Sequence, residues 1–105
     1  MFCEKPIDLE IDRVRAYIVA QLEEMGLAPD IQEASTAIPR GSTAVATTVK
    51  NVIARLPGSD SSKAILLDAH FDTRAMTAGA SDCSSCVAVV IETARALLAG
   101  PPLRN

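Results

Sequence analysis

The stretch Ala64-Ile-Leu-Leu-Asp-Ala69 constrains this chain more than any other. It is short, nearly continuous in apolar character, and preceded by the loop-forming Pro57-Gly-Ser-Asp-Ser-Ser62. Such a run predicts a strand covered on both faces, in the middle of a sheet. It ends at His70, the only histidine present, with Asp72 two residues later and Gly79-Ala-Ser-Asp82 further along. A strand ending this way can deliver a metal ligand to the rim of an α/β sheet, and the loop after it can deliver a second. A chain with one histidine has little to finish such a site with.

The neighbours of that strand are sought elsewhere in the chain. Ile11, Val14, Ile18, Leu22 and Met25 recur at three or four residues, which predicts a helix over 8–25. Asp8 would be its N-cap and Gly26 its C′ residue, with Arg13, Arg15, Glu23 and Glu24 in water. Leu27 to Ile38 reads as extended, and Pro39-Arg-Gly41-Ser42 as a turn. Thr43 to Leu56, rich in β-branched residues, reads as a long strand bent near Lys50-Asn51 and paired antiparallel with the segment before it. Arg74 to Ser81 reads as a loop. From Cys83 to Ala99 the apolar spacing is again helical, and Gly100-Pro-Pro102 ends it. The element order is α-β-β-β-α. The expected fold class is α/β, a small three-stranded mixed sheet with two helices, in one domain over 1–105. Three strands and two helices cover a central strand poorly, so we expect a partner chain or a continuation, and association through the uncovered sheet or helix face.

Composition removes several functions. The net charge of −3, the scatter of 10 basic and 13 acidic residues and the 3% aromatic share leave no surface suited to nucleic acid. No apolar stretch approaches the roughly 18–20 residues of a membrane span. The first residues lack the apolar segment of a signal peptide, so the expected compartment is by default the reducing cytoplasm. Three cysteines is an odd number and does not suggest a disulfide framework. Cys3 stands alone.

His70 and Asp72 lie at i and i+2 of the predicted strand and so point to one side. A carboxylate there can hold one ring nitrogen and leave the other free for a metal. The alternative is a surface histidine followed by a turn-forming aspartate. Asp82, just before the second helix, can bind a divalent cation or cap that helix; Ser81 or Ser84 could take over the cap. Cys83-x-x-Cys86 opens the same helix, where backbone N–H groups lower a thiol's pKa. Three readings stay open for it: two small half-buried residues, a thiol redox pair, or a mononuclear metal site with His70 and Asp82. The loop and strand serines lack a paired histidine motif, and the glycines form no phosphate loop.

In order and spacing, Asn51-Val-Ile-Ala-Arg-Leu-Pro-Gly58, Ala64-Ile-Leu-Leu-Asp-Ala-His-Phe-Asp72, Gly79-Ala-Ser-Asp82 and Val87 to Ala99 resemble the N-terminal part of the two-zinc aminopeptidases, the bacterial leucyl aminopeptidase and aminopeptidase Y type of the zinc exopeptidase fold. That resemblance implies zinc as cofactor, a peptide substrate and hydrolysis of N-terminal peptide bonds. It makes His70 a ligand of one zinc, Asp82 the carboxylate bridging two, and Asp72 the catalytic-site residue that orients His70. It also exposes departures. The family's Asp, small residue, Ser and Gly after the bridging Asp are here Cys83-Ser-Ser-Cys86. The later Glu–Glu pair, Asp and second His have no counterpart, because Glu92, within the helix, is the only carboxylate side chain after Asp82. The expectation is a truncated or degenerate peptidase homologue, inactive alone, with peptide turnover only if another chain completes the site.

Overall fold

The structure, a computed structural model, describes residues 4–60, 62–74 and 76–104, with side chains from residue 10 onward. Cys3 lies outside the described residues. Helix α1 spans Glu4–Glu24. It starts before Asp8, which is therefore inside the helix and not its N-cap; Pro6 is compatible because the first turn needs no donated N–H. The helix stops as its sequence requires. Gly26 adopts φ 82°, its N–H donates to the Glu23 carbonyl at 2.9 Å, and the Leu27 N–H donates to Leu22 at 3.1 Å. These two bonds close a Schellman motif around a left-handed residue.

Strands β1 (Asp30–Arg40) and β2 (Thr43–Ile53) form an antiparallel hairpin. Pro39 lies in β1 opposite Ala44, not in the turn. A two-stranded hairpin has a free edge on each strand, so a missing N–H is tolerated there. The turn is Gly41-Ser42 alone, with φ 62° at Gly41. Positive φ at the first loop residue suits the right-handed twist of the flanking strands. Pairing runs without interruption through Glu33↔Lys50 and Gln32↔Asn51, so the expected bend in β2 does not occur. Opposed side chains favour that register: Ser35 and Thr48 share a hydrogen bond of 3.3 Å, and the Asn51 amide donates to Gln32 at 3.2 Å.

The third strand is absent among the described residues, and the sheet has two strands, not three. Residues 64–69 have no ladder partner, and Ile65 and Leu66 are 77% and 87% exposed. A segment apolar on both faces is specified by neighbours on both sides; here the hairpin strands pair only with each other. The α/β class holds with two helices and a two-stranded sheet.

Helix α2 spans Ser85–Ala99, two residues shorter at its start than expected. A wide turn, Ala80–Ser84, leads into it, with Asp82 (φ −130°, ψ 83°) and Cys83 (φ −138°, ψ 52°) outside helical geometry. The core lies where α1 faces α2. Ile18, Ile91, Ala94 and Cys83 are the buried apolar side chains among the described residues. Arg95 Nη2 donates to Gln21 Oε1 at 3.1 Å, tying the helices at the margin. The radius of gyration is 16.3 Å, against about 13 Å for a spherical domain of this length. The excess reflects the hairpin, most of whose side chains are exposed. No helix among the described residues is long and apolar enough to cross a membrane.

Candidate functional site

The segment after residue 69 alternates His70, Phe71, Asp72, and that alternation positions the site. Phe71 turns toward the helices, lining a cavity of about 270 Å³ with Val14, Ile18, Val87 and Ile91. The Arg15 guanidinium lies 5.9 Å from the Phe71 ring centroid, a cation–π arrangement. Arg15 is thus half-buried rather than in water. With Phe71 anchored, His70 and Asp72 project to the other side. Phe71 is the positioning residue that the motif reading passed over; its signal was one apolar residue between two polar ones.

His70 sits between two aspartates. Nδ1 is 3.1 Å from the Asp72 backbone carbonyl and 3.2 Å from Asp72 Oδ1; Nε2 is 3.1 Å from Asp82 Oδ1. Both groups facing Nδ1 are acceptors, so Nδ1 carries a hydrogen and donates. In the neutral ring this leaves a bare lone pair on Nε2, pointed at a carboxylate oxygen that also has only lone pairs. That approach is stable only with a positive charge between them: a proton, which makes the ring imidazolium, or a metal ion. The His70 pKa is accordingly raised above its ordinary 6.5. The Asp72 carbonyl hydrogen bond is the main cause; desolvation opposes it, and the Asp72 and Asp82 charges add to the rise.

Asp82 reaches His70 because of the turn before it. Gly79 is left-handed (φ 68°, ψ 22°), and its carbonyl accepts from the Ser84 N–H at 3.0 Å. A Cβ at Gly79 would lie 2.0 Å from Thr73 Cγ2, so the turn packs directly against the residue following Asp72. Asp82 does not cap α2: Ser84 holds the cap position, without a side-chain cap bond. The carboxylate left free of that task is the one facing His70.

The donors suit zinc in kind and spacing. Two ligands on a tetrahedral zinc with bonds of ~2.0–2.1 Å lie about 3.3 Å apart, and Nε2 and Oδ1 are 3.1 Å apart. The set is incomplete: among the described residues no group of three His, Cys, Asp or Glu side chains is placed to hold one metal ion. Glu92 pairs instead with Arg95 at 3.2 Å. Cys83 and Cys86 lie side by side at the start of α2, with Cα atoms 5.1 Å apart, Cys83 buried and Cys86 half-buried.

Residues 51–105, just over half of the chain, match the model of peptidase family M28. The chain belongs to peptidase family M28. The matched stretch contains His70, Asp72, Gly79, Asp82, Cys83 and Cys86, whereas α1, β1 and most of β2 lie outside it. This M28 chain is therefore related to the metallopeptidases, whose members in this family are generally zinc-dependent. No curated protein and no solved structure matches it.

Two outcomes follow from this geometry. In an NMR titration the His70 ring titrates above 6.5, and Asp82→Asn lowers the midpoint without abolishing the rise, since the Asp72 carbonyl remains; a wild-type midpoint at or below 6.5 contradicts the arrangement. In urea melts Gly79→Ala costs more than Gly26→Ala. Both impose a left-handed alanine, worth about 1–2 kcal/mol, but only at Gly79 does the new Cβ meet a neighbour.

Proposed function

We propose that this chain is a relative of the two-zinc aminopeptidases within family M28 and binds one zinc ion through His70 and Asp82, with Asp72 as the residue that orients the ring. The observation that carries the reading is the 3.1 Å approach of Nε2 and Oδ1, two lone-pair atoms that need a cation between them. Asp72 holds the hydrogen on Nδ1, so Nε2 faces outward with a free pair. Asp82 brings a negative charge that offsets that of the metal. When bound, zinc supplies Lewis acidity toward a carbonyl and lowers the pKa of a water.

Hydrolysis needs more than this pair. A general base must take the proton from water, and the carboxylate beyond Asp82, Glu92, is engaged with Arg95. With a single histidine in 105 residues, a two-metal site does not close within this chain. The reading is therefore a peptidase homologue in which His70 and Asp82 hold a metal but these 105 residues do not by themselves complete the hydrolytic site.

Calorimetry with zinc checks the metal. Wild type binds, His70→Ala and Asp82→Ala do not, and Asp72→Asn binds about tenfold more weakly, the low end of the effect of losing an orienting partner. Affinity falls as pH drops through the His70 midpoint, because the proton and the metal compete for Nε2. No binding by wild type would refute the metal reading. On amino-acid anilides with added zinc, turnover stays at background; robust turnover lost in His70→Ala would overturn the claim of inactivity.

A second reading, self-association without catalysis, draws on the unpaired 64–69 segment and its exposed Ile65 and Leu66. Unpaired strand edges and apolar patches favour pairing with another chain. Light scattering then shows a species larger than 11.1 kDa, which Leu66→Lys returns to monomer; a wild-type monomer at high concentration removes this reading.

A further inference from the structure

The two outer edges of the hairpin differ. Pro39 has no N–H to give to the ladder, yet pairing with Ala44 continues through it, so the backbone groups of that pair point away from the partner strand. The alternation of antiparallel pairs then fixes every other position. Ala44, Ala46, Thr48, Lys50 and Val52 direct their N–H and C=O groups outward from β2, and Ile31, Glu33, Ser35, Ala37 and Pro39 direct theirs outward from β1. The β1 edge is blunted, because Pro39 lacks a donor and Asp30, Glu33 and Arg40 place charge along the strand. The β2 edge is not. It contains no proline and one charged residue, Lys50. The Lys50 ammonium lies 3.8 Å from the Glu33 carboxylate, drawn across toward β1 and off the free edge. Among the described residues no third strand, and no backbone hydrogen bond from outside the hairpin, reaches β2.

We propose that the free edge of β2 pairs antiparallel with the same edge of a second copy, about a two-fold axis at Thr48, giving a dimer with a four-stranded sheet. Centred there, all 11 residues of β2 find a partner. Thr48 meets its own copy, Ala46 meets Lys50 and Ala44 meets Val52, so outward-directed groups face one another along the whole strand. Charge selects this register. It leaves the two Lys50 side chains about 14 Å apart along the strands, beyond the ~10 Å screening length of ordinary salt. A register centred on Lys50 would oppose the two ammonium groups directly and shorten the ladder. Ile38, Val45, Val49 and Ile53, all exposed, share one face of the hairpin, and the pairing makes their two sets one continuous apolar surface. A second copy is the occupant the strand itself specifies, because one set of residues supplies both sides of the contact. Assembly stops at two, since the edges left outside are both β1 edges carrying Pro39. This surface is separate from residues 64–69 and from the metal site, and the proposal depends on neither reading of them.

The test uses the full chain in reducing buffer, followed by analytical ultracentrifugation over a range of concentrations, with amide hydrogen exchange read by NMR. Expected is a species of twice 11.1 kDa. In it the Ala46, Thr48 and Lys50 amides, open to solvent in the dilute monomer, gain protection as concentration rises. Ala46→Pro removes one outward N–H and no bond of the hairpin ladder, and returns the protein to monomer. Should that variant not fold, charge at the same position decides. Ala46→Glu faces Lys50 of the second copy, twice by symmetry, and tightens the dimer about fivefold; Ala46→Lys loosens it by a similar factor. Adding Lys50→Glu to Ala46→Glu reverses the gain. A monomer at the highest soluble concentration overturns the proposal, as does a dimer whose alternate β2 amides stay unprotected. Equal dimer affinity in Ala46→Glu and Ala46→Lys overturns the register. A dimer dissolved by Leu66→Lys and not by Ala46→Pro overturns the β2 edge and assigns association to residues 64–69.

Discussion

The meeting of α1 and α2 around Phe71 is the contact on which the site depends. Ile18 on one helix and Ile91 and Ala94 on the other are among the few buried side chains, and Cys83 joins them from the turn before α2. Phe71 docks on the same pair beneath the Arg15 guanidinium. Because Phe71 is held there, the residues on either side of it must face away from the helices. The small core therefore does two things: it stabilises the helix pair, and it aims His70 and Asp72 at the turn carrying Asp82. The hairpin contributes little to this, since its registered cross-strand pairs form an element whose faces are largely open to solvent.

At the site itself the governing term is electrostatic. Two acceptors on Asp72 hold the hydrogen on Nδ1, and a third acceptor waits at Nε2. A ring surrounded by acceptors favours its protonated form or a bound cation, and the direction of the His70 pKa expresses the first of these. The same geometry suits a zinc ligand whose tautomer is set by its neighbour. The family M28 match covers this constellation but not α1 or β1, so the motif-bearing part of the chain carries the kinship.

Much of the site was legible because its signals are local. His70, Asp72 and Asp82 were singled out from residue type and spacing, and the structure brings all three together. The stop of α1 at Gly26 and the antiparallel pairing of the two long segments were legible for the same reason, since turn chemistry and β-branched runs act over a few residues. What failed was what needs distant partners. The run 64–69 has a strand's composition, but a strand exists only as half of a ladder, and no ladder forms beside it. Arg15 was placed in water because its own helix says so; Phe71, 56 positions later, draws it inward.

By itself the sequence determined the helical stripes, the turn glycines, the order of the site residues and the family to which they belong, because each is set by short-range geometry and side-chain chemistry. Tertiary structure alone decided that Phe71 anchors the histidine segment and that Asp82 faces His70 instead of capping α2. Those outcomes turn on the direction in which a side chain leaves the backbone once the two helices have packed. A one-dimensional pattern records which donors are present, and only the packed chain records which of them meet.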